Sequence, residues 1–237
     1  MKVGQLDRIR SRGYWRINFQ PRLLVETKSS LSECRDIVER NAVSLRGWQY
    51  PYVPVKQDDQ QGSLPSGEFF EAWIDWWNHI EYWRSYRSRQ FLHYIALRED
   101  WFAESDWDKE LAKKILPGRA IGTARTIWQI TEIFEFLSRL GRNDVYPSGA
   151  IVSLTLENTE GRQLWVDDPQ RMPFLDEKKT GAARIEIKRE LLPSEFSVQG
   201  AEIARSVIVE LFDHFDWTGI SQENIRTQQE QLLSGRI

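Results

Sequence analysis

Between Tyr14 and Pro21 the apolar residues Trp15, Ile17 and Phe19 alternate with Arg16, Asn18 and Gln20, the period-two pattern of a half-buried strand. Ser29-Ser30-Leu31-Ser32-Glu33 then opens a helix. Ser30 can cap it, Glu33 stands three residues on as a capping box requires, and Cys34, Ile37 and Val38 form the apolar stripe. A cysteine on such a stripe reads as packing rather than as a nucleophile. The stretch Arg46-Gly47-Trp48-Gln49-Tyr50-Pro51-Tyr52-Val53-Pro54 is an extended, shaped loop, because its glycine and prolines break helices. Residues 56–67 offer almost nothing to bury and read as a mobile surface loop.

From Phe69 to Tyr86 both helical and strand spacings fit. Aromatic and β-branched residues dominate there, which favours strands, and Gln90-Phe91-Leu92-His93-Tyr94-Ile95-Ala96-Leu97 is strongly β in composition, so a hairpin should turn around Ser85–Arg89. Arg119 to Leu140 is apolar around most of a helical circumference, as expected of a buried central helix that ends at Gly141. Ile151–Glu157 and Gln163–Val166, separated by Asn158-Thr159-Glu160-Gly161, read as a hairpin, and Arg184–Lys188 as a further strand. Glu202 to Asp216 is an amphipathic helix, and Ser221 can cap a last one. Strands and helices in mixed order predict an α+β fold: a mixed or antiparallel sheet with a buried central helix and C-terminal helices, in one domain spanning 1–237.

Composition adds less. The chain has 237 residues and a formal net charge of -3, and at this length roughly 70–75% of the unfolded surface is buried on folding, so no metal or disulfide is needed for a core. A single cysteine and a polar start without a signal-peptide pattern predict a cytosolic protein, and no apolar run suits a membrane span. Tryptophan is the outlier, with 11 in the chain and Trp73, Trp76, Trp77, Trp83, Trp101 and Trp107 crowded between Glu68 and Asp108. Charge is uneven as well. Lys2 to Arg46 carries ten basic and five acidic residues, whereas Lys56 to Asp108 carries five basic and eleven acidic ones.

Phosphate-binding glycine loops, His-Glu-x-x-His, Cys-x-x-Cys and Gly-x-Ser-x-Gly are absent, and three dispersed histidines make a poor metal site, so neither a cofactor nor a metal is expected. One catalytic pattern remains to weigh. Glu186-Ile187-Lys188 on a strand, with Asp167 or Asp168 ahead of it, matches the acid, Glu-x-Lys arrangement with which some nucleases hold a divalent cation and stabilise the attacking hydroxide. A second group is His79, Glu81, Arg84 and His93. With Glu81 opposite His93 and Trp83 opposite Phe91, it would form a polar cluster walled by aromatics, able to hold a ligand or to tie the sheet together.

Arg46-Gly47-Trp48-Gln49-Tyr50-Pro51, Glu81-Tyr82-Trp83-Arg84 and Ser88-Arg89-Gln90-Phe91 resemble an uncharacterised bacterial protein family with Arg-Gly-Trp-x-Tyr-Pro and Glu-x-Trp-Arg-x-Tyr-x-Ser-Gly-Gln-Phe motifs. Arg89 replaces the family's turn glycine. The resemblance implies an accessory or regulatory protein, a component of a multi-gene system of regulatory or defence type.

The leading expectation is a non-catalytic subunit that binds a protein partner or ligand, with Arg46, Trp48, Tyr50, His79, Glu81, Trp83, Arg84 and His93 as binding candidates. The alternatives are a metal-dependent nuclease on Asp167, Glu186 and Lys188, or a nucleic-acid-binding module that uses the basic N-terminal segment. The loop carrying Trp48, Tyr50 and Tyr52 is expected to pack on the aromatic hairpin, with Trp48 set against aromatics of the Tyr82 to Tyr94 region and Arg46 or Arg84 paired to Glu81.

Overall fold

The alternation at Trp15, Ile17 and Phe19 does bury one face of a strand, and that strand lies in the middle of a seven-stranded sheet in the computed structural model, which describes residues 4–236. In chain order the elements are α1 (Gln5–Arg10), β1 (Tyr14–Pro21), α2 (Leu31–Asn41), β2 (Val43–Ser44), β3 (Gln49–Tyr50), β4 (Gln61–Ser66), β5 (Phe69–Trp76), β6 (His79–Tyr86) and β7 (Phe91–Ala96). Two 3-10 turns, Arg98–Glu104 and Asp106–Asp108, lead to α3 (Lys109–Lys114). There follow β8 (Ala120–Gly122), α4 (Thr123–Arg142), β9 (Ala150–Glu157), β10 (Gln163–Trp165), β11 (Arg184–Leu191), α5 (Pro193–Asp213) and α6 (Gln222–Leu233).

The large sheet runs β11-β9-β1-β7-β6-β5-β4, antiparallel throughout. One face carries Trp15, Ile17, Phe19, Trp83, Phe91, Val152, Leu154, Ile185 and Ile187 and is covered by α4, which is buried along most of its length, and by α2 and α5, with α6 packed on α4 and α5. The other face carries Trp73, Ile80, Tyr82 and Tyr94 and is partly covered by α1 and Trp101. The protein is therefore α+β, with an antiparallel sheet and C-terminal helices.

Local signals read correctly where the interaction was local. Ser30 Oγ accepts from the Glu33 amide at 3.1 Å while the Glu33 carboxylate accepts from the Ser30 amide at 2.6 Å, so the capping box is complete. Ser221 caps α6 by accepting from the Asn224 amide. Cys34 is fully buried, and burial pushes its thiol up.

Four expectations need correction. Residues 56–67 are not simply a loop: Gln61–Ser66 pairs with β5 as an edge strand, where Pro65 costs no ladder bond that a neighbour would have used. The aromatic segment forms two consecutive hairpins, the first turning at Trp77-Asn78 with Trp77 at φ 40°, the second around Arg87–Gln90 with Arg89 at φ 64°. In the second, Glu81 faces Ile95 and Trp83 faces His93, a two-residue shift from the expected register that leaves every side chain on its expected face.

The expected hairpin of Ile151–Glu157 with Gln163–Val166 does not form. β9 is paired with β1 and β11 on its two sides, and β10 instead runs parallel to β8. With both sides of β9 occupied, the chain leaves the sheet, and Arg162 just before β10 is held by Asp100 through bonds of 2.8 and 2.5 Å. Finally, the helix expected from Glu202 starts at Pro193 and passes a non-helical Gln199.

Candidate functional site

The side chains from Arg46 to Tyr52 fold down over the helix-covered face of the sheet. Tyr50 is buried with its ring 5.4 Å from that of His93, and Tyr52 lies edge-on to Trp76 and His79. The Trp83 indole donates to the Tyr52 carbonyl at 2.8 Å, so the loop is tied to the sheet by backbone as well as by rings. Trp48 packs at a tilt of 47° against His79, 5.4 Å between ring centres, rather than against the Tyr82 to Tyr94 region as expected, and lies under the Arg46 guanidinium at 5.3 Å, yet remains 37% exposed.

Beneath this loop lies a buried polar cluster. Glu81 accepts from His93 Nε2 at 2.6 Å and from the Tyr52 amide at 3.0 Å, and its other neighbour is His79 Nε2 at 3.2 Å. Burial pushes the Glu81 carboxyl up, but the adjacent His93 and the hydrogen bonds from both imidazoles outweigh it and hold the pKa at about 2. Burial, and then the Glu81 and Glu132 carboxylates, push the Tyr50 phenol well above its ordinary value. At Glu132 the balance goes the other way: burial raises its pKa despite the Arg46 ion pair.

Neither Arg46 nor Arg84 pairs with Glu81, contrary to expectation. Arg46 binds Glu132 and Gln129 of α4, while strand alternation sends Arg84 to the opposite face, where it meets Glu71 at 3.3 Å and Tyr82.

The loop, the Trp77-Asn78 turn, the first 3-10 turn, Trp107 and the first turns of α4 together enclose an open cavity of about 290 Å³. Of the residues singled out from sequence, Arg46, Trp48, Tyr50, His79 and Glu81 line it, Trp83 and His93 support it from below, and Arg84 takes no part. The sequence reading missed Arg98, Glu99, Arg125 and Gln129, as well as the role of Trp76, Trp77 and Trp107. Asn78, a turn former between two aromatic runs, was the one local signal for the hairpin that brings Trp77 to the rim.

The nuclease trio is not assembled. Both Asp167 oxygens serve the start of α4, accepting from the Ala124 amide at 2.7 Å and the Arg125 amide at 3.1 Å, on the helix-covered side. Glu186 and Lys188 alternate with the core residues Ile185 and Ile187, so they point out from the other face of edge strand β11, where Glu186 pairs with Arg184. No group of three His, Cys, Asp or Glu side chains that could hold a metal occurs among the described residues.

The basic N-terminal segment is likewise compensated in space. Arg8 meets Asp75 and Glu104, Arg12 meets Glu104, Arg16 meets Glu157, Arg22 meets Glu190, and Lys28 meets Glu68, so the excess of cations along the sequence does not make a continuous basic patch. No helix among the described residues is long and apolar enough to cross a membrane.

In comparison with known proteins, no family model, no curated protein and no solved structure matches this chain.

Proposed function

We propose that this chain is a non-catalytic binding protein, an accessory component of a bacterial multi-component system, and that the aromatic cavity is its binding face. The observation that carries this reading is the rim. Trp48, Trp77 and Trp107 are 37%, 52% and 82% exposed at the mouth of one cavity. Indoles left in water around a recess contribute little to the fold and much to an interface, where a large flat apolar ring gains most when water is excluded. The buried Glu81 cluster beneath them holds the loop in place and so pre-forms the recess.

The test compares the full chain with Trp107→Ser after affinity purification from the native host, with both proteins and small molecules in the eluate identified by mass spectrometry. A bound species retained by the parent and reduced at least ~10-fold in the variant, at unchanged melting temperature, supports the reading. Identical eluates from the two chains would sink it.

A further inference from the structure

The geometry points to a small molecule that joins a flat ring to an anionic group, phosphate or carboxylate, as the ligand of this cavity, with the ring among the rim indoles and the anion against Arg125 and Arg98. This rests on the binding-face reading above and names the chemistry that it leaves open.

The argument begins with the two guanidinium groups. Arg98 is fixed through Nη2, which lies 3.2 and 3.3 Å from the two oxygens of Asp108, and its Nε has no partner. Arg125 is flanked through Nε by Glu99 at 3.7 Å and Asp167 at 3.8 Å, and its guanidinium forms no hydrogen bond among the described residues. Both side chains are half-buried and both line the cavity. A guanidinium keeps its charge at any physiological pH and offers five donors in a planar fork suited to carboxylate and phosphate oxygens. Two held in place at one cavity, with the Nη donors of Arg125 making no hydrogen bond among the described residues, form a preorganised anion seat, since little side-chain freedom is lost on binding.

A second observation is independent of hydrogen bonding. Burial depresses the Arg98 pKa, and after burial the largest contribution is the repulsion of the Arg125 charge. The fold thus holds two like charges near one another at the edge of a recess, an arrangement that an anion placed between them would relieve. Asp108 and Glu99 offset part of this repulsion at Arg98, and Glu99 and Asp167 flank the Arg125 Nε, while neither Nη of Arg125 makes a hydrogen bond among the described residues.

The ring half of the ligand follows from the rim. Indole faces stack on flat rings with little regard to the ring's substituents, and Trp48 and Trp77 stand on the same opening as the guanidinium groups. A cavity of about 290 Å³ suits one small organic molecule rather than a folded partner's side-chain cluster.

Calorimetric titration of the full chain with four probes tests this: adenosine 5′-monophosphate, indole-3-acetate, adenosine and inorganic phosphate. The expected result is that at least one of the first two binds, at least ~10-fold tighter than adenosine or phosphate alone, and that Arg125→Gln and Trp107→Ser each weaken it at least ~10-fold. Adenosine 5′-monophosphate alone marks a phosphate source, and indole-3-acetate alone a carboxylate. Trp107 is so exposed that its variant cannot fail through misfolding, which keeps the test sound if Arg125→Gln melts early.

If adenosine binds as tightly as its monophosphate, or if Arg125→Gln binds normally, the anion seat is refuted. If none of the four probes binds at millimolar concentration, the ligand class is refuted, and the purification experiment with Trp107→Ser still decides the binding face separately.

Discussion

Glu81 and His93 stand 2.6 Å apart on neighbouring strands, both nearly inaccessible to water, with the imidazole proton placed on Nε2 by the carboxylate that accepts it. The other ring nitrogen, Nδ1, is buried and has no protein partner among the described residues.

That pair gives the first expectation. The folded carboxyl of Glu81 sits at about 2, below the ordinary glutamate value near 4.3, so its stabilisation is present above that ordinary value and is lost as pH falls toward 2. Urea unfolding of the parent should weaken by about 3 kcal/mol more than that of Glu81→Gln between pH 5 and pH 2. Parallel pH profiles for the two chains would contradict it.

Arg46 and Glu132 offer a second. Their side chains are 8% and 0% exposed, and burial raises the Glu132 pKa in spite of the pairing. Arg46→Ala strands a buried acid and should cost about 3–5 kcal/mol, whereas Arg46→Met combined with Glu132→Leu should recover most of that loss. Chemical denaturation of the single and double variants measures the difference; a double variant no more stable than Arg46→Ala would contradict the argument.

Much of the fold was readable where the determining contacts lie within a few residues. The Ser30–Glu33 box, the Trp15-Ile17-Phe19 alternation and the strands of the aromatic segment are of this kind. β10 was misread because both sides of β9 are taken by β1 and β11, strands distant in sequence whose pairing leaves no local trace. Pro193, which suits the first turn of a helix, is a usable signal for the start of α5, and Gly200, which resembles a breaker, is instead a contact point inside it. At the site, the loop residues stood out by composition. Arg98 and Arg125 did not, since only their three-dimensional neighbours distinguish them from other surface cations.

Gly200 gives a third expectation. A Cβ there would stand 2.1 Å from Ser138 Oγ and 3.0 Å from the Phe134 carbonyl, where α5 crosses α4. An alanine in a helix interior ordinarily gains about 1 kcal/mol over glycine, but Gly200→Ala should instead destabilise, by about 1–3 kcal/mol, because the backbone of α4 cannot retreat. A raised melting temperature would show that the two helices are not so closely apposed.

A fourth expectation separates two acids that sequence alone placed together. Asp167→Ala removes the acceptor for two amides of α4 and should cost about 1–2 kcal/mol, whereas Glu186→Ala, on the outer face of β11, should change stability by less than about 0.5 kcal/mol. Thermal melts of the two variants check it, and Glu186→Ala is expected to leave ligand titrations at the aromatic cavity unchanged.

The place of β1 bears on how the chain is made. Ile17 faces His93 on one side and Leu154 on the other, so β1 waits for both neighbours, and the second arrives only after α4 has emerged. A nascent or prematurely terminated chain that ends in α4 presents the whole length of β1 as an open ladder beside a finished meander. Such an edge recruits the same strand from another copy. Translation pauses near Asn143–Gly149 would therefore be expected to raise aggregation, and fragments that stop there to be recovered as assemblies.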